Sequence, residues 1–194
     1  MSNLQLRALP SRAAFTTPHV QAFQGAQFLY HLLEQQVAAV YQRAADLGGD
    51  NEALIQAAVE GALQRQALSE SVQVFCAMTV EAAVNLLGLI SLGEEQFRSK
   101  VEHMSHVEKL RTLLRLINRN STERVQLLLA IAKRLAKARN SFVHPKAHEG
   151  ELRTNPASRR GDIEGARRAM DDMHQFLEVL REFDQQYGVF FNCF

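Results

Sequence analysis

The sequence has few of the residues that interrupt helices or cross-link chains. Among 194 residues there are four prolines, ten glycines and no tryptophan. Only two cysteines occur, Cys76 within an apolar helical pattern and Cys193 next to the C-terminus. Two cysteines exclude a disulfide framework and are typical of a reducing, cytoplasmic compartment. We therefore expect long helices and a core large enough to need no cross-link.

Long apolar runs are also missing. The longest uninterrupted one, Leu127 to Ala132, is far shorter than the roughly 20 residues that span a bilayer, so we expect no membrane segment. The N-terminus has no apolar core of the signal-peptide kind. No acidic residue precedes Glu34, which slightly resembles a transit peptide, but the composition favours a flexible leader over residues 1–17.

A strong charge of either sign is absent as well, since the net charge is +1. A nucleic-acid site would therefore have to be a local basic patch. We predict RNA contacts from two basic groups, one in a helix and one in the loop that follows it: Arg134, Lys137, Arg159 and Arg160. The structural alternative for the first group is that cations favour the last turns of a helix through its dipole.

What the sequence does contain is helical periodicity. Apolar residues recur at helical spacing throughout, and no alternation with period two persists. This predicts an all-α bundle of five or six helices that forms a single domain over residues 18–194. The apolar positions of the first two helices are Phe23, Phe28, Leu29, Leu32, Leu33, Val37, Val40, Tyr41, Leu47, Leu54, Ala58, Ala62 and Leu63.

Local signals set the helix boundaries. Pro18 suits the first position of a helix that ends at Gly48-Gly49, and Asp50 begins a second helix through Leu63. A third begins at Ser69 and ends at Gly93; alternatively the second and third form one bent helix, because 65–68 contains no breaker.

The second half of the chain has equally clear signals. Ser105-His106-Val107-Glu108 is a capping box that opens another helix. The next helix begins at Ser121 or Thr122 and reaches Phe142, and Asp162 caps the last one. The only long loop, 145–161, separates these last two helices, and long loops in compact domains are often functional.

The segment most suggestive of chemistry is 138–145, Ala-Arg-Asn-Ser-Phe-Val-His-Pro. Asn140 and His144 are four residues apart and share a helical face, whereas Arg139 points about 100° away. Pro145 disfavours α geometry at His144, so a bend there would bring the imidazole towards Arg139. Arginine offers a rigid donor fork for phosphate, and histidine exchanges protons near neutral pH.

These groups suit metal-free cleavage of RNA. That reaction needs a base for the 2′-hydroxyl, an acid for the leaving oxygen and positive charge near the phosphorane. One chain supplies a single histidine of this kind, whereas a two-fold dimer with this helix end at its interface supplies two. The structural alternative is an ordinary helix C-terminus, with cations at the negative dipole end and a breaker beyond.

The motif and its surroundings resemble a known superfamily. Arg139-Asn140-Ser141-Phe142-Val143-His144 resembles the R-x4–6-H signature of the HEPN superfamily, in which a polar residue often follows the arginine. The segment 80–87 is similar to an earlier helix that carries an acidic residue and an asparagine in many members. His106-Val107-Glu108-Lys109-Leu110 is similar to a helix start in several bacterial branches. The resemblance covers about residues 70–187, so residues 1–68 lie outside the shared core.

The resemblance implies an α-helical bundle that dimerises with its two motifs facing each other. Many members are metal-independent endoribonucleases of toxin–antitoxin, defence or RNA-processing systems, and a nucleotidyltransferase often serves as antitoxin. Carried over, Arg139 would bind the scissile phosphate, His144 would be the acid–base group and Asn140 would position His144 or the RNA. Glu81 would hold Arg139. Other members are non-catalytic scaffolds or interaction modules, which is the alternative function.

Metal and cofactor sites are poorly supported by the sequence. Glu102, His103 and His106 have the spacing of metal ligands, but they straddle a helix start and lack a further ligand, so we interpret the histidines as surface residues near a cap. No glycine-rich phosphate loop is present. We therefore expect neither a metal nor a cofactor.

Overall fold

The computed structural model describes residues 18–47, 51–117, 123–143 and 162–183. None of these residues lies in a strand, so the predicted all-α bundle is confirmed. The described residues form seven helices, and the one beyond the predicted set is a seven-residue helix, Glu94–Lys100. The helices are α1 (Pro18–Asp46), α2 (Asn51–Val59), α3 (Ala62–Leu92), α4 (Glu94–Lys100), α5 (His106–Ile117), α6 (Glu123–Val143) and α7 (Asp162–Phe183).

The 31-residue helix α3 is the centre of the bundle. It packs against α1, α4, α5, α6 and α7, and Val72, Val80 and Val84 on it have no exposed surface. By length and composition alone, α3 is also the one described helix that could cross a membrane, with 44% of its most apolar stretch buried in the protein. A helix at the centre of a helical bundle can have the same length and composition, and α3 packs against five other described helices.

The core is built from aliphatic and aromatic side chains on five helices. Its largest fully buried members include Leu33, Leu110, Leu113, Leu128, Ile131, Met173 and Phe176. Burying a leucine or phenylalanine stabilises the fold by roughly 1.5–3 kcal/mol. Cys76 lies in this core, as expected, with its thiol 3.7 Å from the Met170 sulfur. Burial, followed by the nearby Asp172 carboxylate, raises the pKa of Cys76 to about 12, so this thiol is not a nucleophile.

The predicted capping box forms at the start of α5. The Ser105 backbone amide donates to Glu108 Oε2 at 3.1 Å, and the Glu108 amide donates to Ser105 Oγ at 3.4 Å. These hydrogen bonds satisfy two amides at the helix start, and the bond from Ser105 lowers the pKa of Glu108. The box therefore fixes where α5 begins, and with it the positions of His106 and Lys109.

The break between the second and third helices lies earlier than predicted. Gly61, with φ of 72°, separates α2 from α3, and α3 begins at Ala62 and not at Ser69. Arg65 reaches back and donates to the Glu60 carbonyl at 2.9 Å, just beyond α2, and to the carbonyl of Ala58, one of the last acceptors of α2. The predicted end of α3 at Gly93 is confirmed, since Gly93 has φ of 77°.

Several apolar residues placed on helical faces by their spacing are exposed. Phe28, Tyr41, Leu47 and Leu63 have between 41% and 77% of their surface accessible. They lie on faces of α1 and α3, and at the end of α1, that no described helix covers. Helical periodicity identifies a common face but does not say whether another element packs on it.

Helix α4 packs tightly on α3 through a glycine. A Cβ atom added at Gly88 would lie 2.5 Å from the Phe97 ring, closer than real contacts allow. The absence of a side chain at Gly88 therefore lets the Phe97 ring approach the α3 backbone, where it is 96% buried. This contact holds α4 against α3 and leaves the centre of the Phe97 ring 5.6 Å from Lys109 Nζ of α5.

Candidate functional site

Arg139 and Glu81 form an ion pair between α6 and α3. Arg139 Nη1 lies 3.2 Å from Glu81 Oε2, and each side chain keeps 34% of its surface exposed. Arg139 is four residues from the end of α6 at Val143, so the pair lies close to the point where the chain continues to His144. The remaining guanidinium donors are partly accessible, which leaves them able to contact an anion.

The other predicted residues of the motif are placed only in part. Asn140 follows Arg139 on α6 and is exposed, and Lys137 is exposed on the same helix. His144, Arg159 and Arg160 lie outside the residues that the structure describes. The proximity of Arg139 and His144 therefore stays a prediction from sequence.

Arg134, predicted to contact RNA, has a structural partner. Its Nε and Nη2 atoms donate to the two Asp172 carboxylate oxygens at 2.9 and 2.6 Å. This bidentate pair joins α6 to α7, and the hydrogen bonds that Arg134 donates to Asp172 raise the pKa of Arg134. Arg134 thus anchors two helices, and an RNA phosphate would have to compete with Asp172 for its guanidinium.

His106 is buried, which corrects the interpretation of it as a surface histidine. Only 9% of its surface is accessible, because the first turn of α5 packs against α6. The ring hydrogen-bonds to the backbone carbonyl of Ala132, while its Nε2 atom has no partner among the described residues. Glu102 and His103 are exposed, and the described part of the chain contains no group of three or more residues suited to hold a metal ion.

The charges around His106 connect it to the Arg139 pair. Burial lowers the pKa of His106, the Glu81 carboxylate acts in the opposite direction, and Arg139 and Lys109 lower it further. Lys109 in turn donates to Asn85 Oδ1 at 2.9 Å. Because Asn85 lies one turn beyond Glu81 on α3, these five residues form one polar layer between α3, α5 and α6.

Sequence reasoning found only part of this polar layer. The motif points to Arg139 and the resemblance points to Glu81, whereas neither marks His106 or Lys109 as a site residue. The sequence does carry a signal for them. His106 and Lys109 are three residues apart on α5, and Glu81 and Asn85 are four apart on α3, so each pair lies on one helical face. No family model, curated protein or solved structure matches the chain.

The depressed pKa of His106 predicts a specific pH dependence of stability. In the unfolded chain the imidazole regains a pKa of about 6.5, so below that pH the unfolded state binds more protons than the folded state. The stability that the neutral His106 imidazole contributes is thus fully present above pH 6.5, and it is lost as the pH falls towards the lower pKa of the folded state. We expect His106→Gln to show a smaller loss of unfolding free energy than the wild type between pH 7.5 and pH 5.

Urea unfolding at both pH values measures this difference. The matched control is His103→Gln, which removes an exposed histidine three residues away and should keep the pH dependence of the wild type. If His106→Gln and the wild type lose the same free energy on acidification, burial of a neutral imidazole is not the cause.

Proposed function

We propose that this chain is a HEPN-like, metal-independent endoribonuclease that acts as a homodimer. The observation that carries the proposal is the half-buried Arg139–Glu81 ion pair, four residues before the end of the helix that leads to His144. Glu81 restricts the guanidinium, so that binding a phosphate requires less loss of side-chain freedom. Substrate binding at this helix end would use the exposed Asn140 and Lys137 as neighbouring contacts.

The proposed reaction uses two histidines and no metal. One His144 imidazole accepts the proton of a 2′-hydroxyl, whose oxygen attacks the adjacent phosphorus. The bond from phosphorus to the 5′-oxygen breaks, and imidazolium of the second subunit's motif protonates that leaving oxygen. Arg139 stabilises the negative charge that develops on the phosphoryl oxygens. The products are a 2′,3′-cyclic phosphate and a 5′-hydroxyl.

The alternative proposal is a non-catalytic helical interaction module. It is favoured by the same ion pair, because an arginine already bound to a carboxylate joins two helices without needing a ligand. Under this alternative, Arg134–Asp172 and Arg139–Glu81 would be two structural pairs of one kind. A small nucleotidyltransferase antitoxin is a proposed partner only under the ribonuclease function.

Cleavage of RNA in the presence of excess chelator tests the proposed function. We expect the purified chain to cut a mixed-sequence RNA equally well with and without EDTA and to leave 2′,3′-cyclic phosphate ends. Mass spectrometry of the products identifies those ends. Cleavage that requires added Mg²⁺ would contradict the metal-independent mechanism, and a lack of cleavage of every RNA offered would favour the interaction module.

A further inference from the structure

Lys109 is a buried cation without a carboxylate partner. Only 6% of the residue is exposed. Its Nζ donates to Asn85 Oδ1 at 2.9 Å and lies 5.6 Å from the centre of the Phe97 ring. An ammonium group has three donors, and no carboxylate of the described residues lies within 4.0 Å of this one. Burying a charge is costly unless it is paired, so this arrangement favours an anion at Lys109.

An open cavity of about 540 Å³ lies beside this ammonium group. The partly buried Asn85 and the buried Lys109 line it, and Leu89, with 38% of its surface exposed, adds an apolar side chain. The volume falls within the range of roughly 300–1,000 Å³ that is usual for small-molecule sites. The cavity is therefore large enough for a ligand that reaches from Lys109 to the rim.

The rim of the cavity carries a negative charge, opposite in sign to that of Lys109. Arg98 is neutralised by Glu94 one turn away on α4, with Nη2 and Oε1 2.7 Å apart and both side chains exposed. Glu102, which also lines the cavity, has no ion-pair partner among the described residues. A ligand that fits this distribution has an anionic group at one end and hydrogen-bond donors at the other.

We propose that this cavity binds a nucleoside monophosphate. The phosphate accepts hydrogen bonds from Lys109 Nζ, the base packs against Leu89, and ribose hydroxyls or an exocyclic amine donate to Glu102. The phosphate supplies the counter-ion that Lys109 lacks. The hydroxyl or amine donors of the ligand match the Glu102 carboxylate at the rim. The inference does not rest on the ribonuclease proposal, because it uses neither Arg139 nor His144.

Isothermal titration calorimetry of the full chain with AMP, adenosine and inorganic phosphate tests this site. AMP should bind at least about tenfold more tightly than adenosine, which lacks the anion, and than phosphate, which lacks the donors. Lys109→Met, which keeps an apolar stem of similar length, should weaken AMP binding by about 10- to 100-fold, the usual value of a hydrogen bond to a charged group. The matched control is Lys133→Met on the exposed face of α6, which should bind AMP like the wild type.

A second variant keeps the proposal testable if Lys109→Met changes the fold. Leu89→Trp places a large side chain at the cavity while keeping the Lys109 ammonium group, and it should also weaken AMP binding at least tenfold. The proposal is overturned if the wild type does not bind AMP, or if Lys109→Met and Leu89→Trp both bind it with wild-type affinity. Because the readout is binding, neither result depends on whether the chain cleaves RNA.

Discussion

Replacing His144 with alanine is expected to lower RNA cleavage by about 100- to 10,000-fold, the usual contribution of a general acid–base group. In the proposed dimer this change removes both the base and the acid. A catalytic role without a packing role predicts that the free energy of unfolding changes by less than about 1 kcal/mol, the usual range for surface substitutions. Cleavage rates measured in EDTA, together with urea unfolding of the same preparation, test both expectations.

Arg139→Gln should reduce cleavage to a comparable extent, because the phosphorane loses its cationic partner. This variant also leaves the half-buried Glu81 carboxylate unpaired and should lower stability. The double variant Glu81→Gln/Arg139→Gln removes both charges together, so it should recover stability without recovering cleavage. Recovery of both would mean that Arg139 acts only in folding.

The matched control for these variants is a second ion pair at the far end of α3. Arg43 lies 3.0 Å from Glu60, just before α3 begins, and both side chains are mostly exposed. Glu81 is 19 residues beyond the start of α3, a distance of about 28 Å along the helix. Arg43→Gln should therefore leave cleavage unchanged. Equal losses in Arg43→Gln and Arg139→Gln would contradict a role for Arg139 at a localised site.

The parts of the fold that sequence predicted depend on local chemistry. The capping box predicted the start of α5 because the side chains of Ser105 and Glu108 bond to amides only three residues away. Gly93 predicted the end of α3 because it comes directly after an apolar helical run. Gly61 gives only a weak signal for a break, because a single glycine within a helical pattern is often tolerated. Its positive φ is supported by Arg65, whose reach back to α2 has no sequence signature.

The candidate site was predictable where it depends on a motif and unpredictable where it depends on packing. Arg139 stands out by its position before a histidine and a proline, and its contact with Glu81 agrees with the role expected from resemblance. The burial of His106 and Lys109 depends on how α5 lies against α6 and α4. That arrangement follows from distant contacts such as Gly88 with Phe97, which one-dimensional spacing does not encode.

The proposed reaction needs two copies of the chain, because each supplies one His144. We expect a homodimer at micromolar concentration, related by a two-fold axis that passes near the ends of both α6 helices. Asn140, exposed one residue after Arg139, is a suitable position for a label because its side chain faces solvent. A cysteine there, in a chain with Cys193 replaced by serine, leaves only the buried Cys76 as a competing thiol.

Distance measurement by electron spin resonance between nitroxide labels on Asn140→Cys in the two subunits is the most direct test of this account. A single distance shorter than the 21-residue helix α6, which is about 32 Å long, is the predicted result. An absence of dipolar coupling, or a separation longer than that helix, would mean that the two motifs do not meet and that the ribonuclease mechanism proposed for this protein is wrong.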